Sequence, residues 1–236
     1  MQIQTAGQIE RTLKKLGTKE RAASSAWFFK TKKGEYGYGD IFVGVTVPAV
    51  RKLAVEYVDL PLPEITKLLE NKVHECRLIA LIILVERYKS GDVKLRAKVA
   101  KFYIAHTKFI NNWDLVDVSA SNILGAELLH KKRDVLYSFV TSNNMWERRI
   151  AIISTLAFIR EGDFADTFNL SGLLLRDQED LIHKAVGWML REVGKQSRAT
   201  LVQFLRQHAP SMPRTALRYS IEHFPEFERK KFLHMK

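Results

Sequence analysis

Apolar residues recur at intervals of three and four along nearly the whole chain, the spacing that gathers them on one face of a helix. The pattern predicts helices over 6–16, 20–30, 48–58, 63–70, 74–89, 92–107, 112–130, 133–141, 145–160, 164–175, 178–194, 197–208 and 213–223. Ordinary breakers separate them: Gly17, Pro61 and Pro63, "SGD" (90–92), "EGD" (161–163), Gly194 and "APSMP" (209–213). No stretch shows the strict alternation of a half-buried strand. The one long irregular segment is "KTKKGEYGYGDIFVG" (30–44), with glycines at 34, 37, 39 and 44. It follows no strand, which argues against a nucleotide-cradling loop and for a mobile or DNA-facing one.

The helices also repeat. "HECRLIALIILVERYKSGD" (74–92) resembles "WERRIAIISTLAFIREGD" (146–163), with a weaker echo in "LIHKAVGWMLREVGKQ" (181–196). Aligned this way, Arg77, Arg149 and Lys184 stand 72 and 35 residues apart, and Trp113 bisects the longer interval. The unit is a helix pair of about 36 residues, shorter than the ~40–47 of HEAT repeats. One pair cannot bury its own apolar faces, so the expectation is a single all-α domain, 1–236, whose pairs stack into a curved solenoid with one continuous core.

Composition narrows the functional class. The 236 residues are 46% hydrophobic and 27% charged, the balance of a folded domain. "LIALIILV" (78–85) stops at Glu86 and Arg87, far short of the roughly 18 apolar residues of a membrane span. "MQIQTAGQIER" lacks the basic-then-apolar layout of a secretory signal. Cys76 is the sole cysteine, which excludes an internal disulfide and fits a reducing cytoplasm or nucleoid. A formal net charge of +12 points to a polyanionic partner, nucleic acid before membrane.

The cations cluster. Lys184, Trp188 and Arg191 fall at i, i+4 and i+7 of one predicted helix, with Lys195 beyond, and Arg148 and Arg149 follow Trp146 in the preceding unit. Stacked in register, they line a groove along a phosphate backbone; the alternative is a solvated face with scattered ion pairs. The histidines form no HxxxH pair, one cysteine cannot build a zinc site, and neither a GxSxG nor a P-loop is present. Any reaction then rests on carboxylates, aromatics and cations.

"NNWDLVDVSA" (111–120) concentrates such groups. Asn112 fits an N-cap, and Asp114 suits the positive end of the helix. Asp117 lies one turn beyond Trp113 on the same face, where a carboxylate at a core edge is costly without a partner. It is either a structural residue paired with a neighbouring repeat, with the tryptophans filling core gaps, or a group that faces a cationic substrate.

"NNWDLVDVSASNILG" (111–125), "SNNMWERRIAIIS" (142–154) and "IHKAVGWMLREVGK" (182–195), with "FVGVTVPAVRKLA" (42–54), resemble the AlkD-like alkylpurine DNA glycosylases. The resemblance implies a right-handed superhelical solenoid of HEAT-like helical repeats with a concave basic DNA-binding groove. It also implies a monomer that excises cationic N3- or N7-alkylated purines from double-stranded DNA without metal or cofactor. By the same resemblance Asp117 is the catalytic carboxylate, Trp113 and Trp188 flank the lesion, and Arg149 grips the backbone. Arg148, Lys184 and Arg191 extend the DNA contacts. The family presents a further aromatic from an early helix; in "SAWFFK" this is Trp27 or Phe28, and the following glycine-rich loop is longer than the family pattern. Two other readings stand beside this one: a non-catalytic repeat protein that binds distorted or branched DNA, and a protein-interaction scaffold.

Overall fold

The computed structural model describes residues 4–235, so the first three residues of the stretch read for a leader lie outside the described residues. Among the described residues the chain is helical with no strand; one isolated bridge joins Ile41 to Val73. It divides into two compact units, Met1–Ser119 and Ala120–Lys236.

The first unit holds α1 (Ala6–Leu16), α2 (Lys19–Phe28), α3 (Val47–Glu56), α4 (Leu62–Leu69), α5 (His74–Ser90), α6 (Val93–Ala105) and α7 (Trp113–Ser119). Local chemistry starts several of them. Thr5 and Gln8 close a reciprocal capping box on α1, and Thr18 and Asp92 accept from Arg21 and Leu95 to cap α2 and α6. α5 is the axle, buried continuously from His74 to Val85 and packed by α1, α3, α4, α6 and α7. Each large aliphatic side chain it buries contributes about 1.5–3 kcal/mol.

The segment 30–44 is irregular, as its glycines predict, but its second half is tied down. The buried Glu75 carboxylate accepts from the backbone N–H groups of Val43, Gly44 and Val45 at 2.8–3.3 Å. Gly44 has φ 79°, and a Cβ there would sit 2.4 Å from the Thr18 carbonyl oxygen. That position therefore needs glycine on both counts.

The second unit opens with a π turn, Ser121–Gly125, followed by α8 (Asp134–Val140), α9 (Met145–Ser154), α10 (Leu156–Arg160), α11 (Ala165–Leu174), α12 (Asp180–Gln196), α13 (Arg198–His208), α14 (Arg214–Ser220) and α15 (Glu226–Leu233). α12 is its central helix, packed by α9, α10, α11, α13 and α14. The three echoing sequence segments thus become the axle α5, the largely buried α9–α10 pair and α12.

Beyond shifts of a few residues at helix ends, three departures from the periodicity have a physical reason. The continuous helix expected over 112–130 widens at the π turn, where Gly125 N–H reaches back to the Ala120 carbonyl at 2.9 Å. The helix expected over 145–160 breaks at buried Thr155, whose hydroxyl donates to the Ile152 carbonyl at 2.7 Å. α15 escaped the pattern because Phe232 alone is buried while Phe227 stays exposed; Pro225, two leading glutamates and two trailing lysines define it instead.

α12 and α14 cross at Gly187, where a Cβ would lie 2.5 Å from Tyr219 Cβ and 2.6 Å from the Ala216 carbonyl oxygen. Gly187→Ala is expected to cost about 1–3 kcal/mol by overpacking. Urea unfolding should show a lower midpoint at an unchanged slope.

Candidate functional site

In the first unit the site is built on α7. Asn112, fully buried, accepts the Val116 N–H at its carbonyl and the Trp113 N–H at its side chain. The first turn therefore begins where the cap was expected. Trp113, half-buried, stacks on Phe29 with ring centroids 5.2 Å apart and planes 17° from parallel, and meets the edge of Phe28 at 5.9 Å. Phe29 in turn stacks on Phe42 at 5.0 Å, and both rings border the imidazole of His74, Phe42 at 4.5 Å and Phe29 at 5.0 Å. Aromatic pairs of this kind add about 0.5–1.5 kcal/mol each beyond the area they bury.

His74 links this stack to a buried charge cluster. Its Nε2 lies 2.8 Å from Asp114 and its Nδ1 3.2 Å from Asp40, a carboxylate of the glycine-rich segment whose side chain is 3% exposed. Arg77, one turn along α5, pairs with the other Asp40 oxygen at 2.6 Å and donates to the Asn71 carbonyl. Asn112 and Asn111 reach Asp40 at 3.3 and 3.4 Å. Burial by itself would raise the Asp40 carboxyl; the His74 hydrogen bond and the Arg77 charge outweigh it and hold the group below its ordinary value. Burial likewise opposes the charged imidazole, yet the bonds to Asp114 and Asp40 raise His74 above its ordinary value. Asp114, expected to serve the helix terminus alone, accepts the Leu115 N–H and also binds His74.

Asp117 is half-buried one turn beyond Trp113 on α7. On the same helix, buried Ser119 donates to the Leu115 carbonyl, so the buried Tyr103 hydroxyl donates to Ser119 at 3.0 Å. Burial raises the Tyr103 phenol, and the negative charge of Asp117 raises it further, which keeps the phenol protonated. Trp27 and Phe28, the two candidates from "SAWFFK", are 69% and 52% exposed. The structure separates their surroundings: Phe28 leans on Trp113, whereas Trp27 faces solvent with Lys30 Nζ 5.5 Å from its ring centroid.

In the second unit the cations are held differently. Arg148 forks onto Asp177, Nε at 2.6 Å, and donates to the Ser142 and Asn143 carbonyls. Arg149 is 5% exposed and donates through Nη1 to the Leu181 carbonyl in the first turn of α12 at 2.6 Å. Further along α12, Lys184 pairs with Asp180 at 2.8 Å and Arg191 pairs with Glu222. Trp188 donates its indole N–H to Glu192 at 3.1 Å, and Lys195 meets the same carboxylate at 2.7 Å. Lys184, Trp188 and Arg191 thus share the α12 face that their spacing assigned them.

Among the described residues no group of three or more His, Cys, Asp or Glu side chains is placed to hold a metal ion. No helix there is long and apolar enough to cross a membrane. Cys76 is buried with its thiol pushed up to about 12 by burial, unfit as a nucleophile. Sequence reasoning missed Phe42, His74 and Asp40; it aligned Arg77 with Arg149 and Lys184, where the structure buries it against Asp40, and it chose Trp27 or Phe28 over the adjacent Phe29. The available signal was "GDIFVG", an aspartate set against glycines and an aromatic in a segment otherwise read as a loop.

The family model for the DNA alkylation repair enzyme matches residues 9–224, and the chain belongs to that family. A solved structure described as a predicted DNA alkylation repair enzyme from Enterococcus faecalis shares the fold, with a TM-score of 0.69 at 16% identity over 89% of this chain and 97% of that one. No match was found among curated proteins. The family places the chain in DNA alkylation repair.

The charge cluster sets a pH signature. The raised His74 contributes stability that is fully present below its unfolded value near 6.5 and is lost as pH climbs through the folded value. The lowered Asp40 contributes stability present above its unfolded value near 3.8 and lost as pH falls through the folded one. Calorimetric melting should show Tm declining above pH 6.5 in the wild type, and His74→Phe should remove that decline along with part of the overall stability.

Proposed function

We propose that the protein is a monofunctional DNA glycosylase that hydrolyses the N-glycosidic bond of purines alkylated at N3 or N7, in double-stranded DNA, without metal or cofactor. The observation that carries the reading is the pairing on α7 of a half-buried Asp117 with Trp113 one turn before it, in a chain of the DNA alkylation repair family. A purine alkylated at N3 or N7 carries positive charge and departs without a general acid. Positive charge then grows on the deoxyribose. A carboxylate about 4 Å away at an effective dielectric near 20 contributes roughly 4 kcal/mol, about a thousandfold in rate. That suffices for a labile cationic lesion and falls short for an undamaged base. Asp117 also orients the attacking water, and the indoles of Trp113 and Trp188 add cation–π stabilisation of about 0.5–2 kcal/mol each.

In this reading the helices form HEAT-like repeats wound as a right-handed solenoid, with a basic concave groove that holds DNA as a monomer in the nucleoid. Lys184 and Arg191, on the accessible face of α12, contact the phosphate backbone. Arg149 supports that contact through the first turn of α12, and Arg148 braces the turn before α9. Trp27 and Phe28 approach the duplex from α2. The exposure of Trp27 beside Lys30 also suits a binder of distorted DNA that performs no chemistry.

Release of 7-methylguanine and 3-methyladenine from methylated duplex DNA tests the reading. Wild type should release base, and Asp117→Asn should lose about a thousandfold in rate while still binding. Tight binding to branched DNA with no base released by wild type would instead favour the non-catalytic binder. For the backbone contact, Lys184→Ala should reduce the slope of log affinity against log salt by about 0.9; an unchanged slope removes Lys184 from the interface.

A further inference from the structure

The cluster around His74 has a chemical consequence that the family assignment does not contain. An ionised carboxylate only accepts hydrogen bonds. Both ring nitrogens of His74 lie within hydrogen-bond reach of such a group, Asp114 at 2.8 Å and Asp40 at 3.2 Å, so the ring must donate from both sides. That requires the imidazolium. The charged groups facing it are Asp40 from the glycine-rich segment, Asp114 from α7 and Arg77 from its own helix; the neighbouring Glu75 is turned to the backbone of Val43–Val45. With His74 charged, two anions meet two cations and the cluster is neutral. Deprotonated, it would carry an uncompensated buried negative charge, which is strongly disfavoured.

Mechanically, the cluster joins three pieces of chain. Asp40 and Phe42 come from the glycine-rich segment, His74 and Arg77 from the start of α5, and Asp114 from the first turn of α7, adjacent to Trp113. The ring stack makes a second connection between the same pieces: His74 borders Phe29 and Phe42, and Phe29 carries the indole of Trp113. One side chain thus fixes Trp113 twice, through its backbone by way of Asp114 and through its ring by way of Phe29.

We infer that His74 is the positioning residue of Trp113: bonded through both nitrogens to Asp40 and Asp114, it sets the first turn of α7 and the orientation of the indole presented to the lesion. It touches no reacting atom. Its effect on base release rests on the glycosylase reading; its effect on Trp113 does not.

The experiment uses the full chain labelled with 5-fluorotryptophan and with ¹⁵N-histidine. Nitrogen-detected spectra at pH 7.5 should show His74 protonated at both nitrogens. Trp113→Phe assigns the Trp113 fluorine resonance among the four tryptophans. His74→Phe keeps an aromatic ring in the stack but removes both hydrogen bonds. It should move or broaden the Trp113 resonance while those of Trp146 and Trp188 stay in place. Asp114→Asn, which retains an acceptor for the Leu115 N–H, should lower the pH at which His74 titrates and move the same resonance. It remains informative if His74→Phe fails to fold.

In single-turnover base release, His74→Phe should lose roughly 10- to 100-fold in rate with DNA affinity changed less than about twofold. A singly protonated His74 at pH 7.5, an unmoved Trp113 resonance in Asp114→Asn, or a wild-type rate of release by folded His74→Phe would each overturn the inference. Absence of release by wild type would sink the glycosylase reading instead, leaving the two spectroscopic measurements to decide the role of His74.

Discussion

The bridge from Asp40 through His74 to Asp114 is the constraint on which the first unit depends. Three segments distant in sequence meet at one imidazole, and each brings a group that would be costly to bury by itself. Arg77 completes the charge balance and the amides of Asn111 and Asn112 supply further donors to Asp40. The same residues hold the entry to α7, so the helix that carries Trp113 and Asp117 starts from a point fixed by electrostatics, not by an exposed cap. Its charges balance, while Arg77 Nε and Asn111 Oδ1 are buried without a hydrogen-bond partner, and the network specifies one arrangement of loop, axle and site helix.

The second unit achieves definition by another route. α12 is pinned by close backbone contact at Gly187 and by Arg149, which spends one of its donors on the Leu181 carbonyl in the first turn of the helix. On the accessible side, Lys184, Arg191 and Lys195 each meet a carboxylate at the surface. Exposed pairs of this type are worth little to stability, about 0–1 kcal/mol. In the proposed reading, a phosphate replaces the carboxylate. Arg148 and Arg149 also donate to backbone carbonyls, and Arg148 pairs with Asp177 besides.

How much of this could be read from the chain follows from the range of each interaction. Helix periodicity is local, and it located the axle α5, the core of α12 and the face shared by Lys184, Trp188 and Arg191. "WDLVD" carried its own spacing, which put Trp113 and Asp117 on one side of a helix. The Asp40–His74–Asp114 bridge spans about a third of the chain, and nothing in the neighbourhood of any one member announces the other two. The glycine-rich segment was misleading for the same reason. Its glycines spoke of freedom, while the residues that anchor it, Glu75 and His74, belong to a helix read as ordinary core. α15 was missed for the opposite cause, since a helix with one buried apolar residue leaves almost no periodicity to detect.

The burial of Cys76 has a meaning for a chain that belongs to alkylation repair. Alkylating agents are electrophiles, and in a protein they react first with thiolates. A thiol held at about 12 and sealed inside the axle helix presents a vanishing thiolate fraction at neutral pH and no path of approach. The sole cysteine of the chain, its most reactive class of side chain toward such reagents, is thereby withheld from them.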